Sequence, residues 1–229
     1  MKAYAIGDSC LCWPLGRAIN AATSARALRL YRALKRLQSE GQLPATDIVP
    51  SYNAVAVYFD PVTADVSRIR KLVDGVVTQG MSGGSRGPAR LRINASARDD
   101  GRHQLSEKTV DRTFILPVQY DGEDLERVAT HTGLAREEII RLHAGGKYVV
   151  AMIGFLPHFP YLIGLPRRLA TPRLSTPRLR VPAGAVAIGG AQAGVYPRES
   201  PGGWNLIGRT DPALLLPLEP GDRVVFEPS

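Results

Sequence analysis

The chain has 229 residues, of which 44% are hydrophobic and 22% are charged, a balance that excludes wholesale disorder and predicts a folded protein. Its 29 basic and 21 acidic residues give a net charge of +8, but the arginines are not interleaved with aromatic residues, so we expect no nucleic-acid partner. No window approaches the ~20 apolar residues of a membrane span, and the first residues lack a long apolar core, so we expect a cytoplasmic protein without membrane contact.

The first 82 residues predict a small α+β domain with the element order ββαβα. Its first helix begins after Asn20 and stops at Gly41, because apolar residues recur at helical spacing between a good N-cap and a helix-ending glycine. The predicted strands cover residues 3–7, 10–15 and 54–59, and the second helix covers residues 64–77. Such an order fits a sheet with helices on one face.

A change of composition marks the predicted domain boundary. Residues 83–108 are rich in Gly, Ser, Arg and Asp and have weak periodicity, which is typical of a linker. The second domain, residues 109–229, opens with a strand at 112–120 and two short helices at 122–133 and 135–145. Helix signals stop after the next strand, and short apolar runs separated by Pro and Gly predict an all-β barrel with long loops.

Familiar catalytic motifs are missing from the sequence. The Gly-Lys pair in "AGGKYVV" lacks the preceding glycine of a Walker A loop, and Tyr148 stands where Ser or Thr would hold Mg²⁺. The four histidines are too dispersed to name a metal site, so we predict none. His143 ends a predicted helix, and the sequence leaves open whether it is catalytic or a protonated ring that complements the helix dipole.

The segment "GFLPHFPYLIGLP", residues 154–166, concentrates aromatic residues and prolines in one predicted loop. Prolines rigidify a loop, and aromatic side chains then offer contact area at low entropic cost. Packing onto the barrel as plain core is the alternative, but ordinary loops are shorter and more polar, which favours a ligand pocket or a subunit interface. The pocket or interface candidates are Phe155, Pro157, Phe159 and Tyr161.

Two T-P-R-L repeats, at residues 171–174 and 176–179, each place an arginine on extended backbone. The guanidinium groups of Arg173 and Arg178 suit a carboxylate or a phosphate. Arginines on an extended edge are also compatible with simple solvation, so the repeats alone do not decide between binding and solubility.

The stretch "SPGGW" ends a long run of prolines and glycines. Its proline fits the first position of a turn, and Gly202 and Gly203 permit positive φ, so successive backbone N–H groups can converge into an anion-binding concavity. Ser200 adds a hydroxyl, and Trp204 adds a flat wall with one N–H donor. A tight turn between strands explains the same residues equally well.

These segments, together with "PVQYDGEDLERVATHTGL", "VPAGAVAIGGAQAGVYPRE" and "NLIGRT", resemble the KipI/PxpB family, whose members are B-type subunits of 5-oxoprolinase and allophanate hydrolase subunit 1-like proteins. The resemblance is dense from about residue 112 to the C-terminus and weaker in "IVPSYNAVAVYFDP". It implies an α+β fold class, in which a small N-terminal α/β sandwich domain precedes a C-terminal cyclophilin-like β-barrel that has no prolyl isomerase activity.

The resemblance also implies an activity and partners. Members of the family act with a cognate C-type subunit and an A-type subunit of the LamB/YcsF kind, and the complex opens 5-oxo-L-proline to L-glutamate with ATP hydrolysis. The chain is therefore expected to be inactive alone and to act in a heteromeric complex that binds ATP, with Mg²⁺ as an optional companion ion. Which of the subunits holds ATP stays open. The alternatives are inhibition of a sensor histidine kinase and a role in a urea carboxylase or allophanate hydrolase-like system.

The family's motifs assign candidate roles to residues of this sequence. The catalytic candidates are Arg178, His143 and Ser200, and the candidates for substrate or anion binding are Arg173, Gln192, Tyr196, Gly202, Gly203, Trp204 and Arg209. A lactam resists attack, and phosphorylation of its amide oxygen would create a good leaving group. The site must then hold the substrate carboxylate, the phosphates of the nucleotide and the charge that develops during the reaction. The sequence departs from the family's usual pattern at three positions, with His158 for glycine, Ala185 for serine and Ala193 for threonine.

Overall fold

The computed structural model of the protein describes residues 2–81 and 112–229. The predicted linker, residues 83–108, lies outside the described residues, so the predicted domain boundaries stay a prediction. The elements on either side form separate sheets with separate cores. None of the helices within these two ranges is long and apolar enough to cross a membrane.

Four antiparallel strands and two helices make up the N-terminal part. The strands are β1 (Tyr4–Ala5), β2 (Cys10–Pro14), β3 (Asp47–Pro50) and β4 (Ala54–Tyr58), and the helices are α1 (Ala21–Ser39) and α2 (Val66–Met81). The sheet order is β1-β2-β4-β3. The predicted element order was wrong in omitting β3, which has four residues and includes Asp and Pro, two residue types that are depleted in strands.

Helix α1 is fixed at both ends by its own sequence. The Asn20 side chain accepts a hydrogen bond from the Thr23 amide (2.9 Å), and the Thr23 hydroxyl accepts one from the Asn20 amide (3.2 Å). This reciprocal pair confirms the predicted N-cap. Gly41 takes a φ of +69° just beyond the helix, a conformation that glycine adopts without strain. Leu34 of the inner face joins Val57 of β4 in the N-terminal core.

The C-terminal part is a nearly closed β-barrel with two helices. Its elements are β5 (Thr113–Val118), α3 (Leu125–Thr132), α4 (Arg136–Ala144), β6 (Tyr148–Ile153), β7 (Pro160–Ile163), β8 (Arg178–Val181), β9 (Ala185–Gly189), β10 (Gln192–Val195), β11 (Ser200–Gly202), β12 (Asn205–Arg209) and β13 (Arg223–Pro228). The barrel order is β12-β9-β10-β7-β6-β13-β5, and β8 pairs with β11 in a separate ribbon. Reciprocal backbone hydrogen bonds of 2.9 Å between Gln119 and Arg209 link the chain just after β5 to β12. The predicted α+β class with a C-terminal barrel is confirmed.

Three strands replace segments that the sequence predicted as loop, open edge or turn. Strand β7 lies within the aromatic segment, β8 covers part of the second T-P-R-L repeat, and β11 covers the start of "SPGGW". Each has four residues or fewer, and each contains or directly follows a proline. Within sheets, proline is confined to edges, strand starts and bulges. A short segment that contains or follows a proline is therefore predicted as a loop or turn from its local sequence even where it forms a strand.

The two parts of the molecule are in contact. The Arg32 guanidinium on α1 donates a hydrogen bond of 3.1 Å to the Gly221 carbonyl, just before β13. The Tyr52 ring, between β3 and β4, meets the Tyr161 ring of β7 edge to face, with centroids 5.9 Å apart. The second contact brings the turn between β3 and β4 of the N-terminal sheet against Tyr161 of the barrel part.

Candidate functional site

Four aromatic side chains form a cluster beside the barrel core. We call Phe159, Tyr161, Tyr196 and Trp204 the aromatic cluster. Phe159 lies at its centre, with ring centroids 4.8 Å from Tyr161, 5.1 Å from Tyr196 and 5.8 Å from Trp204. Tyr161 and Trp204 also meet edge to face at 5.8 Å. Such geometries are favourable for aromatic pairs, and three of the four rings, Phe159, Tyr196 and Trp204, are buried.

Glycines make room for the rings. A Cβ on Gly189 would lie 2.8 Å from the Trp204 indole, and a Cβ on Gly202 would lie 2.3 Å from the Tyr196 hydroxyl oxygen. Gly202 and Gly203 do not use the positive φ that the sequence permits them, so their anion-binding role stays a prediction that this geometry does not favour. Gly189 and Gly202 therefore serve close packing of aromatic rings against backbone.

Arg173 covers the outer face of the cluster. Its guanidinium carbon lies 5.4 Å from the centre of the Trp204 ring, within the range of a cation–π interaction. The side chain is exposed, and no carboxylate of the described residues lies within ion-pairing distance of it. The first T-P-R-L repeat thus presents one available positive charge on an aromatic wall.

Backbone contacts on both sides of Arg173 hold it over the indole. The buried Asn205 amide donates hydrogen bonds to the carbonyls of Pro172 (3.0 Å) and Ile188 (3.1 Å). The Leu174 amide donates to the Gly203 carbonyl at 2.7 Å. Because the residues before and after Arg173 are tied to the segment that carries Trp204, the guanidinium is positioned rather than freely solvated.

Arg178 of the second repeat has a different role. Its guanidinium bridges Glu123 and Asp124, at 2.7 Å each. Asp124 is buried and also accepts a hydrogen bond from the Leu206 amide (2.6 Å). Two carboxylates therefore neutralise the Arg178 charge, and the geometry assigns Arg178 to joining β8 to the start of α3. Its predicted catalytic role stays a prediction that this arrangement does not favour.

Arg209 also lies apart from the aromatic cluster. It ends β12 and donates hydrogen bonds of 2.9 and 3.1 Å to the Gln119 side chain, and it pairs with Asp121 at 3.0 Å. These contacts reinforce the seam at which the barrel closes. The structure therefore does not bring Arg209 together with Arg173, and its predicted role in substrate binding stays a prediction.

Two further polar candidates surround the cluster. Ser200 is buried, and its hydroxyl donates a hydrogen bond to the Pro201 carbonyl at 3.2 Å, so it is engaged within its own strand, β11. Gln192 pairs with Gly189 across β10 and β9. Directly paired residues share a face of a sheet, so Gln192 lies on the face that the Trp204 indole covers.

The segment before β7 has unusual backbone. Phe155 and His158 are the only non-glycine residues with positive φ in the described chain, at 66° and 64°. Both side chains are exposed, as is Pro157, whereas Phe159 is buried. Bulky residues in this region of φ carry strain, which explains why the family's usual glycine suits position 158.

The substitution His158→Gly is expected to stabilise the protein by about 0.5–1 kcal/mol, because the relief of left-handed strain outweighs the added entropy of the unfolded chain. Chemical denaturation of both proteins measures the difference. Pro157→Gly is the control, and we expect it to destabilise because it removes a restraint without relieving positive φ. A destabilised His158→Gly variant would show that the imidazole makes a favourable contact that offsets the strain.

His143 lies in the barrel core. Its Nδ1 is 2.8 Å from the Tyr120 hydroxyl, and its ring stacks at 4.5 Å on Phe226. Burial lowers the pKa of His143 to about 3, so the interpretation as a protonated ring at a helix end is wrong. The ring is fully buried, which separates it from any substrate that approaches the aromatic cluster.

Acid is therefore expected to destabilise the protein through His143. The unfolded chain takes up a proton near pH 6.5 that the folded chain refuses until about pH 3, so stability is complete above pH 6.5 and falls as the pH drops. Between pH 6.5 and 5 the loss attributable to this group is about 2 kcal/mol. Denaturation at several pH values should show a flatter dependence for His143→Phe, whereas the exposed His131→Gln control should keep the wild-type slope.

Sequence reasoning missed three residues of this region. Asp124 and Asn205 hold the elements around the cluster, and Tyr52 reaches it from the N-terminal sheet. All three lie in segments that share the family pattern, "PVQYDGEDLERVATHTGL", "NLIGRT" and "IVPSYNAVAVYFDP", but no local pattern singles them out within these segments. Two of the positions that depart from the family pattern, Ala185 and Ala193, are buried. Ala185 lies beside the aromatic cluster, and Ala193 lies in the main barrel core.

In the two described ranges, no group of three or more His, Cys, Asp or Glu side chains is placed to hold a metal ion.

Residues 1–219 match the family model of the carboxyltransferase domain, subdomain C and D. Over 155 residues the chain is 42% identical to the B-type subunit of 5-oxoprolinase from Escherichia coli O157:H7, a match that covers 62% of this chain and 71% of that protein. Over 125 residues it is 51% identical to the corresponding 5-oxoprolinase subunit from Haemophilus influenzae, covering 50% of this chain and 59% of that protein.

The solved structure of TTHA0988 has the same fold. It superposes with a TM-score of 0.73 at 34% sequence identity, covering 96% of this chain and 40% of that chain. A more distant similarity, 29% over 101 residues, links the chain to a protein of Emericella nidulans that is named as a urea carboxylase, of which it covers 8%. The chain therefore spans less than two thirds of the Haemophilus protein and less than half of TTHA0988.

Proposed function

The chain belongs to the family of the carboxyltransferase domain, subdomains C and D, and on this premise we propose that it is the B-type subunit of a cytoplasmic, ATP-dependent 5-oxoprolinase. The observation that carries the proposal is the 42% identity to such a 5-oxoprolinase subunit over 71% of that protein. In this proposal the chain acts with a C-type subunit and an A-type subunit of the LamB/YcsF kind, and it is inactive alone. The complex opens 5-oxo-L-proline to L-glutamate.

The geometry around Trp204 supports a small cyclic carboxylate as substrate. Arg173 supplies one available guanidinium, which matches a carboxylate in shape and charge. Tyr161, which is partly exposed and meets the buried Trp204 ring, supplies an aromatic surface against which the methylene groups of a five-membered lactam ring can pack. In this arrangement Arg173 binds the substrate carboxylate, and the aromatic residues orient the ring and keep water from one of its faces.

ATP supplies the driving force for opening the lactam. Two arginines of the barrel part, Arg178 and Arg209, are paired with carboxylates, and neither Gly202 nor Gly203 has a positive φ. We therefore propose that the nucleotide is held mainly by the partner subunits, and we assign no step of its chemistry to this chain.

The test is 5-oxoproline-dependent ATP hydrolysis by the chain alone and mixed with its C-type and A-type partners. Activity only in the full mixture is the expected result. An assembled complex that does not hydrolyse ATP in response to 5-oxoproline would overturn the proposal. A chain that does not assemble with these partners would favour the alternative function, inhibition of a sensor histidine kinase. Because of the similarity to the Emericella protein, urea and bicarbonate are the second substrate pair to supply with ATP.

A further inference from the structure

Tyr52 carries a buried hydroxyl that no described group satisfies. The residue lies in the turn between β3 and β4, where the Ser51 amide donates a 2.8 Å hydrogen bond to the Ala54 carbonyl. Only 7% of its surface is exposed, and its hydroxyl has no hydrogen-bond partner among the described residues. A buried hydroxyl without a partner is costly, and most such groups in proteins are paired. Phenylalanine would fill the same space without this cost, so the hydroxyl calls for a reason.

The surroundings of Tyr52 supply that reason. Its ring meets Tyr161 of the aromatic cluster edge to face, and the Tyr161 ring meets the Trp204 ring with centroids 5.8 Å apart. Arg173 in turn lies over Trp204 at the solvent edge. A buried hydroxyl from the N-terminal sheet and an exposed guanidinium from the barrel therefore adjoin the same pair of aromatic rings, Tyr161 and Trp204.

We propose that the Tyr52 hydroxyl and the Arg173 guanidinium together bind the carboxylate of a small ligand, so that the ligand site is completed by the N-terminal part of the chain. The carboxylate oxygens accept hydrogen bonds from both groups, and the rest of the ligand packs against Tyr161, which is partly exposed. The identification of this ligand as 5-oxo-L-proline rests on the proposed function. The carboxylate chemistry rests on the residues themselves.

The donor set favours a carboxylate over a phosphate. One guanidinium and one neutral hydroxyl offer a single positive charge, which balances a carboxylate but leaves a phosphate dianion partly uncompensated. Burial and the neighbouring Tyr161 phenol raise the pKa of Tyr52, so the hydroxyl keeps its proton at neutral pH and remains a donor. A cationic ligand group would be repelled by the guanidinium and would gain nothing from this pair.

The site also links the two parts of the molecule. Tyr52 belongs to the turn of the four-stranded sheet, whereas Arg173 and Trp204 belong to the barrel part. A ligand that contacts both restrains their relative position, so binding is expected to raise the thermal midpoint of the whole chain. Without ligand, the unpaired hydroxyl makes Tyr52 a position at which stability is given up for binding.

The experiment compares Tyr52→Phe with the control Tyr58→Phe in the assembled complex. Titration calorimetry measures binding of 5-oxo-L-proline and of 2-pyrrolidinone, the same ring without the carboxylate. We expect Tyr52→Phe to weaken 5-oxo-L-proline binding about tenfold or more, to leave 2-pyrrolidinone binding unchanged, and to raise or preserve the thermal midpoint without ligand. Tyr58→Phe should change neither affinity, because the Tyr58 hydroxyl lies near Cys10 of the paired strand β2.

The outcomes separate the two proposals. Tight, unchanged binding of 5-oxo-L-proline by Tyr52→Phe overturns the inference and leaves the proposed function standing. If the wild-type complex ignores 5-oxo-L-proline but binds L-proline or acetate in a manner that depends on Tyr52 and Arg173, the proposed function fails and the inference stands. A complex that binds none of these carboxylates, or a Tyr52→Phe variant that is destabilised with unchanged affinity, overturns the inference.

Discussion

Replacing Arg178 with alanine is expected to lower the free energy of unfolding by about 3 kcal/mol, because it leaves a buried carboxylate without its counter-ion. The carboxylate is that of Asp124, whose side chain is only 7% exposed. For a chain of this size the thermal midpoint should fall by roughly 6–12 °C. Arg178 is itself 22% exposed, so water reaches the vacated position and keeps the loss near the lower end of values for buried pairs.

The matched control is Arg180→Ala on the same strand. Arg180 is 83% exposed and lies 3.7 Å from Glu199, an arrangement whose loss costs about 0.5 kcal/mol or less. A double-mutant cycle with Asp124→Asn should show a coupling of about 1–3 kcal/mol between Arg178 and Asp124. If Arg178→Ala keeps full stability and loses only activity, the geometric assignment is wrong and the catalytic prediction from the sequence is right.

The contrast between the two T-P-R-L repeats shows what sequence can and cannot supply. The repeat identifies Arg173 and Arg178 as equivalent, since both arginines follow Thr-Pro. Asp124 lies 54 residues before Arg178, and no local pattern marks the two as partners. Which arginine keeps its charge available is therefore decided by long-range contacts, and the sequence alone leaves the two indistinguishable.

Local signals were sufficient for the helices and insufficient for the short strands. The Asn20 cap and the helical spacing of leucines define α1 without help from the rest of the fold, because capping and periodicity are local effects. Strands β8 and β11 form because Val181 and Ser200 pair across a gap of nearly twenty residues. That pairing depends on tertiary packing, which overrides the turn propensities of proline and glycine.

The candidate site was predicted in its barrel part and missed in its N-terminal part. Trp204, Tyr196 and Arg173 were identified from motifs, and the structure brings them together. Tyr52 was not named, because a single tyrosine in a turn has no periodicity or spacing to mark it. Its burial and its unpaired hydroxyl become visible only when the sheet is packed against the barrel.

Replacing Arg173 with alanine is expected to reduce kcat/KM for 5-oxo-L-proline in the assembled complex by about 10–150-fold, the range for a hydrogen bond to a charged group. Most of the loss should appear in KM, because the carboxylate keeps its charge while the lactam bond breaks and is held similarly in the ground state and in the transition state. The free energy of unfolding should change by about 1 kcal/mol or less, since Arg173 is exposed and its main contact is the face of Trp204.

Arg173→Lys separates charge from shape. A lysine keeps the positive charge but loses the planar fork that matches a carboxylate, so we expect it to recover only part of the affinity. Arg180→Ala is again the control and should leave both kcat and KM unchanged. Arg173→Ala with wild-type KM would show that the substrate carboxylate lies elsewhere.

Comparison of Arg173→Ala with Arg178→Ala tests whether the two arginines of the T-P-R-L repeats have different roles. Arg178→Ala should lose stability through Asp124, whereas Arg173→Ala should lose substrate affinity with the fold intact. Any activity lost by Arg178→Ala should return when the assay temperature is lowered below its reduced midpoint, because the surviving folded molecules keep Arg173 over Trp204. The activity lost by Arg173→Ala should not return at any temperature, because the missing charge belongs to the site and not to the fold.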